Sequence, residues 1–205
     1  MSDNRIMRGR LSAILVIIAM AVYPLSCRAL DERTEFREYT SQGNHFRCSV
    51  PRDWSEYHQS FGLSQEEKQV YGVTLFGPSD GGPVPPTISL HYYAPGNLLH
   101  RTMDKFIRGH SQPVLGPPSE GGSHGEIRPI AIAGRQAVTF ERTNVRYTGG
   151  RTLNPDKMVL FERFVVVPDE TDAGFYVLSL SVADTVRTKY VGVFKVITES
   201  FQPVR

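Results

Sequence analysis

The sequence predicts an α+β fold: a largely antiparallel sheet of about six to seven strands, with a short middle helix and a C-terminal helix packed on it as an α-β-α sandwich. Three observations carry that expectation. Apolar residues alternate with period two over six short stretches and run almost unbroken through a seventh, two further stretches repeat with helical spacing, and the connections between strands are short enough to favour antiparallel neighbours.

Residues 158–201 are the most strongly specified. Met158 to Val167 is nearly continuous in apolar and β-branched residues, as suits a central strand covered on both faces. Pro168 to Gly174 supplies a turn. In the next strand Tyr176, Leu178, Leu180 and Val182 share one face, while Ser179 and Ser181 point the other way. Val186, Tyr190, Val193, Phe194, Ile197 and Phe201 then form one helical stripe, with Asp184 or Thr185 as its expected cap and Pro203 as its stop.

Ahead of this unit, Phe46, Cys48 and Val50 mark a half-buried strand that Pro51 ends, with Trp54 expected to pack nearby. Tyr71, Val73 and Leu75 mark a second strand. A Gly- and Pro-rich loop, 77–86, leads to a third with Ile88, Leu90 and Tyr92 on its apolar face. Asn97 is the expected cap of a short helix presenting Leu99, Met103, Phe106 and Ile107, closed by Gly109. The loop from Ser111 to Gly125 has no periodicity. Ile130 and Ile132 mark a fourth strand, and Pro129 places it at a sheet edge or at its start. A tight turn at Gly134-Arg135 leads into a fifth strand carrying Gln136, Val138 and Phe140.

The division of the chain follows from its first third. Arg5, Arg8 and Arg10 precede an apolar run, Leu11 to Tyr23, interrupted only by Ser12. That run is too short to span a bilayer comfortably and has the form of a secretory leader, residues 1–29. Two processing sites compete. Pro24-Leu-Ser-Cys27 resembles a lipobox, in which Cys27 would be lipidated, although Pro24 stands where an aliphatic residue is usual; ordinary cleavage after Ala29 is the alternative. Residues 28–43 are charged and aperiodic and read as a tether, and 44–205 as a single domain.

Composition excludes more than it identifies. The chain is 40% hydrophobic, enough for a core without staples. Its net charge of +2 owes much to the three leader arginines, so the remainder is near neutral and lacks the basic balance that nucleic acid demands. Beyond Cys27 the only thiol is Cys48, which alternates with Phe46 and Val50 and reads as a buried structural group with no disulfide partner.

With the opening strand followed by Pro51-Arg-Asp-Trp54 and the closing helix ending in Ser200-Phe201, residues 44–203 resemble the PsbP/DcrB-like family of exported domains. The resemblance implies an α-β-α sandwich and a binding or assembly role in the cell envelope, with a protein partner there, a lipid-anchored or periplasmic location, no catalysis and no cofactor. It transfers no ligand-binding residue.

The residues themselves offer four constellations. Gly121-Gly-Ser-His-Gly125 satisfies the nucleophile-elbow pattern around Ser123, but a Pro-rich loop precedes it and an extended stretch follows, so a flexible loop is the better reading and a small hydrolase only a third. The same glycines lack the lysine and the helix start of a phosphate loop. His100 and Asp104 are one helical turn apart, and His91 would meet them to hold a metal only if the helix crossed its strand face. Glu162 and Arg163 are charges inside the most apolar strand; Glu162 demands a partner, with Arg142 or Arg146 available. Trp54, Tyr92, Tyr93 and Tyr147 are candidates for a shared contact surface or for the lining of a small-ligand pocket, the principal alternative to an accessory role.

Overall fold

Among the described residues eight strands form one antiparallel sheet, because the chain repeatedly doubles back on itself. The computed structural model describes residues 34–57, 62–80, 82, 84–113, 116–117, 120–148, 156–171 and 173–204. The expected leader and its Cys27 lie outside them.

The centre of the large sheet is the predicted pair. β9 (Asp156–Pro168) and β10 (Phe175–Ala183) run antiparallel in the register Leu178↔Val165. Their turn is organised by Asp169, a buried carboxylate. It accepts hydrogen bonds from the Gly174 amide at 3.1 Å, the Thr171 amide at 3.0 Å and the Tyr92 hydroxyl at 3.0 Å. Glycine is required at 174 by proximity: a Cβ there would stand 2.6 Å from the Asp169 carboxylate.

Outward from β10 come β5 (Thr87–Tyr93), β4 (Val70–Phe76), which the one-turn helix α1 (Gln65–Lys68) precedes, and the short edge strand β3 (Ser55–Tyr57). Outward from β9 comes β8 (Arg135–Thr148), whose far edge is shared by β6 (Ser123–His124) and β7 (Arg128–Ile132). Ala133 and Gly134, with φ of 49° and 78°, make the left-handed two-residue turn between β7 and β8.

One face of this sheet is covered by α3 (Arg187–Ser200) together with a three-stranded sheet. In that smaller sheet β2 (Phe46–Pro51) lies between β1 (Phe36–Thr40) and the two-residue β11 (Gln202–Pro203). Phe46, Cys48 and Val50 are buried as expected, and burial pushes the Cys48 thiol up to about 12. The stripe of α3 is buried at Tyr190, Val193, Phe194 and Ile197, with Phe201 just beyond, while Val186 is only half-buried. The other face carries α2 (Met103–Ser111), which inserts Phe106 among Tyr93, Phe140, Phe164 and Phe175. The α+β class and its antiparallel sheet with a middle and a C-terminal helix are therefore observed.

Several local expectations are corrected. The opening strand Phe46–Pro51 belongs to the small sheet, and the stretch read as a tether contributes β1, which pairs Tyr39 with Cys48. Its alternating charges hid it, because β1 is held through its backbone at an edge. Asn97 does not cap α2. Its Oδ1 accepts from the amides of Leu99, His100 and Arg101 in a separate turn, and Arg101 adopts φ of 52°, which blocks helix there. The helix begins after Thr102, whose hydroxyl accepts from the Lys105 amide, and it runs through Gly109. Neither Asp184 nor Thr185 caps α3. They form a 3-10 turn, Asp184–Val186, that hands its own backbone bonds to the helix.

Candidate functional site

A groove opens where α3 stops short of covering the sheet. The helix packs on β10 and β2, so the hairpin β7–β8 at the sheet edge stands clear of it, leaving about 490 Å³ between them. Ile130, Ile132, Val165, Val191 and Phe194 make an apolar floor. Charged side chains line the rim: Glu126 and Arg128 from the β7 side, Lys195 and Glu199 from α3.

Glu141 and Arg163 line one end of the groove, and Arg187 converges on them from behind it. Glu141 of β8 stands opposite Arg163 of β9, and the Arg163 Nε donates to Glu141 Oε1 at 2.8 Å. Arg187, in the first turn of α3, donates to Glu141 Oε2 at 3.1 Å and lays its guanidinium 3.8 Å from the centre of the Phe161 ring. Both oxygens of one carboxylate are thus held by two arginines. At the opposite end Lys195 and Glu199 pair at 3.7 Å across one helical turn.

The residues singled out from the sequence are not gathered there. Tyr92 and Tyr93 point to opposite faces of the sheet, the first into the core under α3 and the second into the cluster under α2. Trp54 is buried against Tyr190, and Tyr147 is 64% exposed near the far end of β8. Tyr93 does line a second hollow of about 370 Å³, together with Tyr57, Leu63, Lys68, His91 and Leu99.

His91, His100 and Asp104 do not converge. His100 meets His110 instead, ring centres 5.4 Å apart, both resting on Phe106, while Asp104 is exposed in the first turn of α2. Loss of hydration pushes all three histidines down, His91 to about 4. Lys68 adds to the shift at His91, and the neighbouring His110 adds to it at His100. Among the described residues no group of three His, Cys, Asp or Glu side chains is placed to hold a metal ion.

Ser123 stands exposed in β6, its hydroxyl 2.9 Å from that of Thr143, so a strand pairing occupies the place where an elbow would need a helix. Glu162 finds its partner in Arg142 at 2.6 Å, with Asn144 also donating to it, and Arg146 is exposed further along β8. The groove itself escaped sequence reasoning. Its one legible trace was Arg163, a charge inside the most apolar strand.

The architecture defines an α+β sandwich with one open corner. No family model matches the chain, and no curated protein matches it. Among solved structures it is similar to the Ran-binding protein Mog1p of Saccharomyces cerevisiae, with a TM-score of 0.49 and 11% identity over 83% of this chain and 96% of that one. It is also similar to LpqN of Mycobacterium tuberculosis, described as involved in cell envelope biogenesis, with a TM-score of 0.43 and 18% identity over 82% of this chain and 91% of that one.

Proposed function

We propose that this chain is a non-catalytic exported binding or accessory protein of the cell envelope, delivered by residues 1–29 and held at a membrane through Cys27. The observation that carries the binding role is the groove between α3 and the β7–β8 hairpin. It combines an apolar floor with a charged rim, the combination that suits a site for a ligand or a partner segment. Ser123, the one nucleophile candidate, bonds Thr143 in a strand pairing, and Glu162 is held by Arg142 and Asn144.

Two measurements test this reading. A photo-reactive residue placed at Val191 in the groove should give an adduct in intact cells that the same residue placed at Glu38, on the exposed side of β1, does not give. Equal labelling at both positions, or none at either, would remove the groove as the binding site. The intact mass of the membrane-fraction protein should begin at Cys27 with acyl chains attached. A soluble species beginning at Leu30 would remove the anchor and leave the small-ligand periplasmic reading in its place.

A further inference from the structure

We propose that β7 takes up an extended peptide segment as one more strand of the large sheet, whose successive side chains enter the groove beside α3 and a second hollow on the opposite face. This deepens the binding role proposed above and rests on it.

Strand register decides which backbone groups of β7 are free to pair. The two-residue turn Ala133–Gly134 closes on the pair Ile132↔Arg135, so Ile132, Ile130 and Arg128 turn their backbone groups toward β8. The same alternation on β8 is visible at Glu141, whose carbonyl faces that edge and accepts from the Gly125 amide at 2.7 Å. Pro129 and Ala131 therefore turn their backbone groups outward. Both residues are exposed, and among the described residues no strand lies beyond them. The edge offers the Ala131 N–H and C=O and the Pro129 C=O. Pro129 lacks an N–H on its outer side, so a partner strand gains both of its bonds at Ala131 and is held in that register.

The two faces of β7 select a strand over other occupants. Arg128, Ile130 and Ile132 lie on the α3 side, along the groove. Pro129 lies on the α2 side, where it lines a hollow of about 510 Å³ with Met103, Val138, Val166 and Pro168. Successive side chains of an added strand point to opposite faces, so a strand reaches both hollows at once, whereas an acyl chain or a helix would occupy one. The charges along the groove balance, Glu126, Glu141 and Glu199 against Arg128, Arg163 and Lys195, so no charged head group is favoured there. Recognition falls to the main chain and to apolar side chains. A second copy of this chain paired through the same edge would bring two prolines to the seam, and the small side chains of Pro129 and Ala131 would leave the α2-side hollow empty.

The test is calorimetric titration of the purified protein with the blocked peptide Lys-Thr-Leu-Val-Leu-Val-Thr-Glu. N-methylation on alternate residues leaves this probe one edge that can pair and keeps it from stacking on itself. The control is the same sequence N-methylated at every residue. Saturable one-site binding of the probe is expected, with the control at least about tenfold weaker. Ala131→Pro removes an outward N–H that β8 does not use, and should weaken the probe about tenfold while melting curves check the fold. In the unsubstituted protein the probe should slow hydrogen exchange at the Ala131 amide at least about tenfold, and leave the Ile130 and Ile132 amides, already paired to β8, as they were. Equal binding of the two peptides, no binding, or an Ala131 amide that the probe does not protect overturns the proposal. If the peptide fails while photo-labelling at Val191 succeeds, the strand is wrong and the groove stands. If labelling fails as well, both fall.

Discussion

The two faces of the large sheet are built to different standards. Under α3 and the small sheet, residues from β2, β4, β5, β9, β10 and α3 close one continuous core reaching from Phe46 to Phe201. Under α2 the buried cluster is a smaller patch around Phe106, Phe140, Phe164 and Phe175. Beyond it that face turns polar, with Thr74, Ser89, Ser179 and Ser181 half-buried in neighbouring strands and the Glu162–Arg142 pair beside them. The sheet is shared, so the contrast comes from what each strand offers on alternate residues. A face that must hold distant parts of the chain together is apolar throughout, whereas a face that carries one short helix needs to be apolar only beneath it.

The sharpest way to break the contrast is to remove one large side chain from each face. Phe194→Ala, under α3, should lower the unfolding free energy by about 3–5 kcal/mol in urea titration, because the surrounding core has no freedom to collapse. Phe106→Ala should cost less, about 2–3 kcal/mol, because α2 can detach locally while the sheet stays folded. Hydrogen exchange should then show fast amides confined to residues 103–111. Equal global losses from both variants would mean that the two faces fold as one unit.

The three histidines with shifted acidity all lie on the α2 face, which makes that face the pH-sensitive one. His91 stays neutral in the fold down to about 4, whereas in the unfolded chain it takes a proton near its ordinary value of 6.5. Its contribution is therefore complete above pH 6.5 and is lost as the pH falls toward 4, by about 2 kcal/mol. His91→Gln should flatten the stability profile across that window, and an unchanged profile would show that the imidazole is not protected. The smallest expected effect is at the helix start. Thr102→Ala should lower stability by about 1 kcal/mol and loosen α2 before anything else melts.

How much was legible in the sequence divides along the same line. The elements from Met158 to Phe201 announced themselves because their apolar residues follow the period of each element, and a partner for Glu162, Arg142 or Arg146, was expected because a charge in an apolar strand must be answered. β1 was hidden, since Phe36-Arg-Glu-Tyr-Thr40 carries charge on both faces and is held by backbone pairing to β2. The start of α2 was misplaced by five residues, from Asn97 to Thr102, because both are good caps and only the left-handed backbone at Arg101 decides between them. The groove was legible only through Arg163, a charge inside the most apolar strand. Glu141, Arg163 and Arg187 are far apart in sequence, and only the strand register and the angle of α3 bring them together.

β2 is held on one side by β1, a few residues before it, and on the other by β11, which follows α3. The Ser49 amide donates to Ser200, Arg47 reaches Gln202, and the Val204 amide donates to the His45 carbonyl. Contacts of such sequence separation form late and slowly, since the strands and helices between them must be gathered before they return any stabilisation. The small sheet therefore cannot close on a growing chain until Gln202 and Pro203 have been made. Until then β2 keeps one edge unpaired, and the two-residue strand after α3 acts as the latch that closes it.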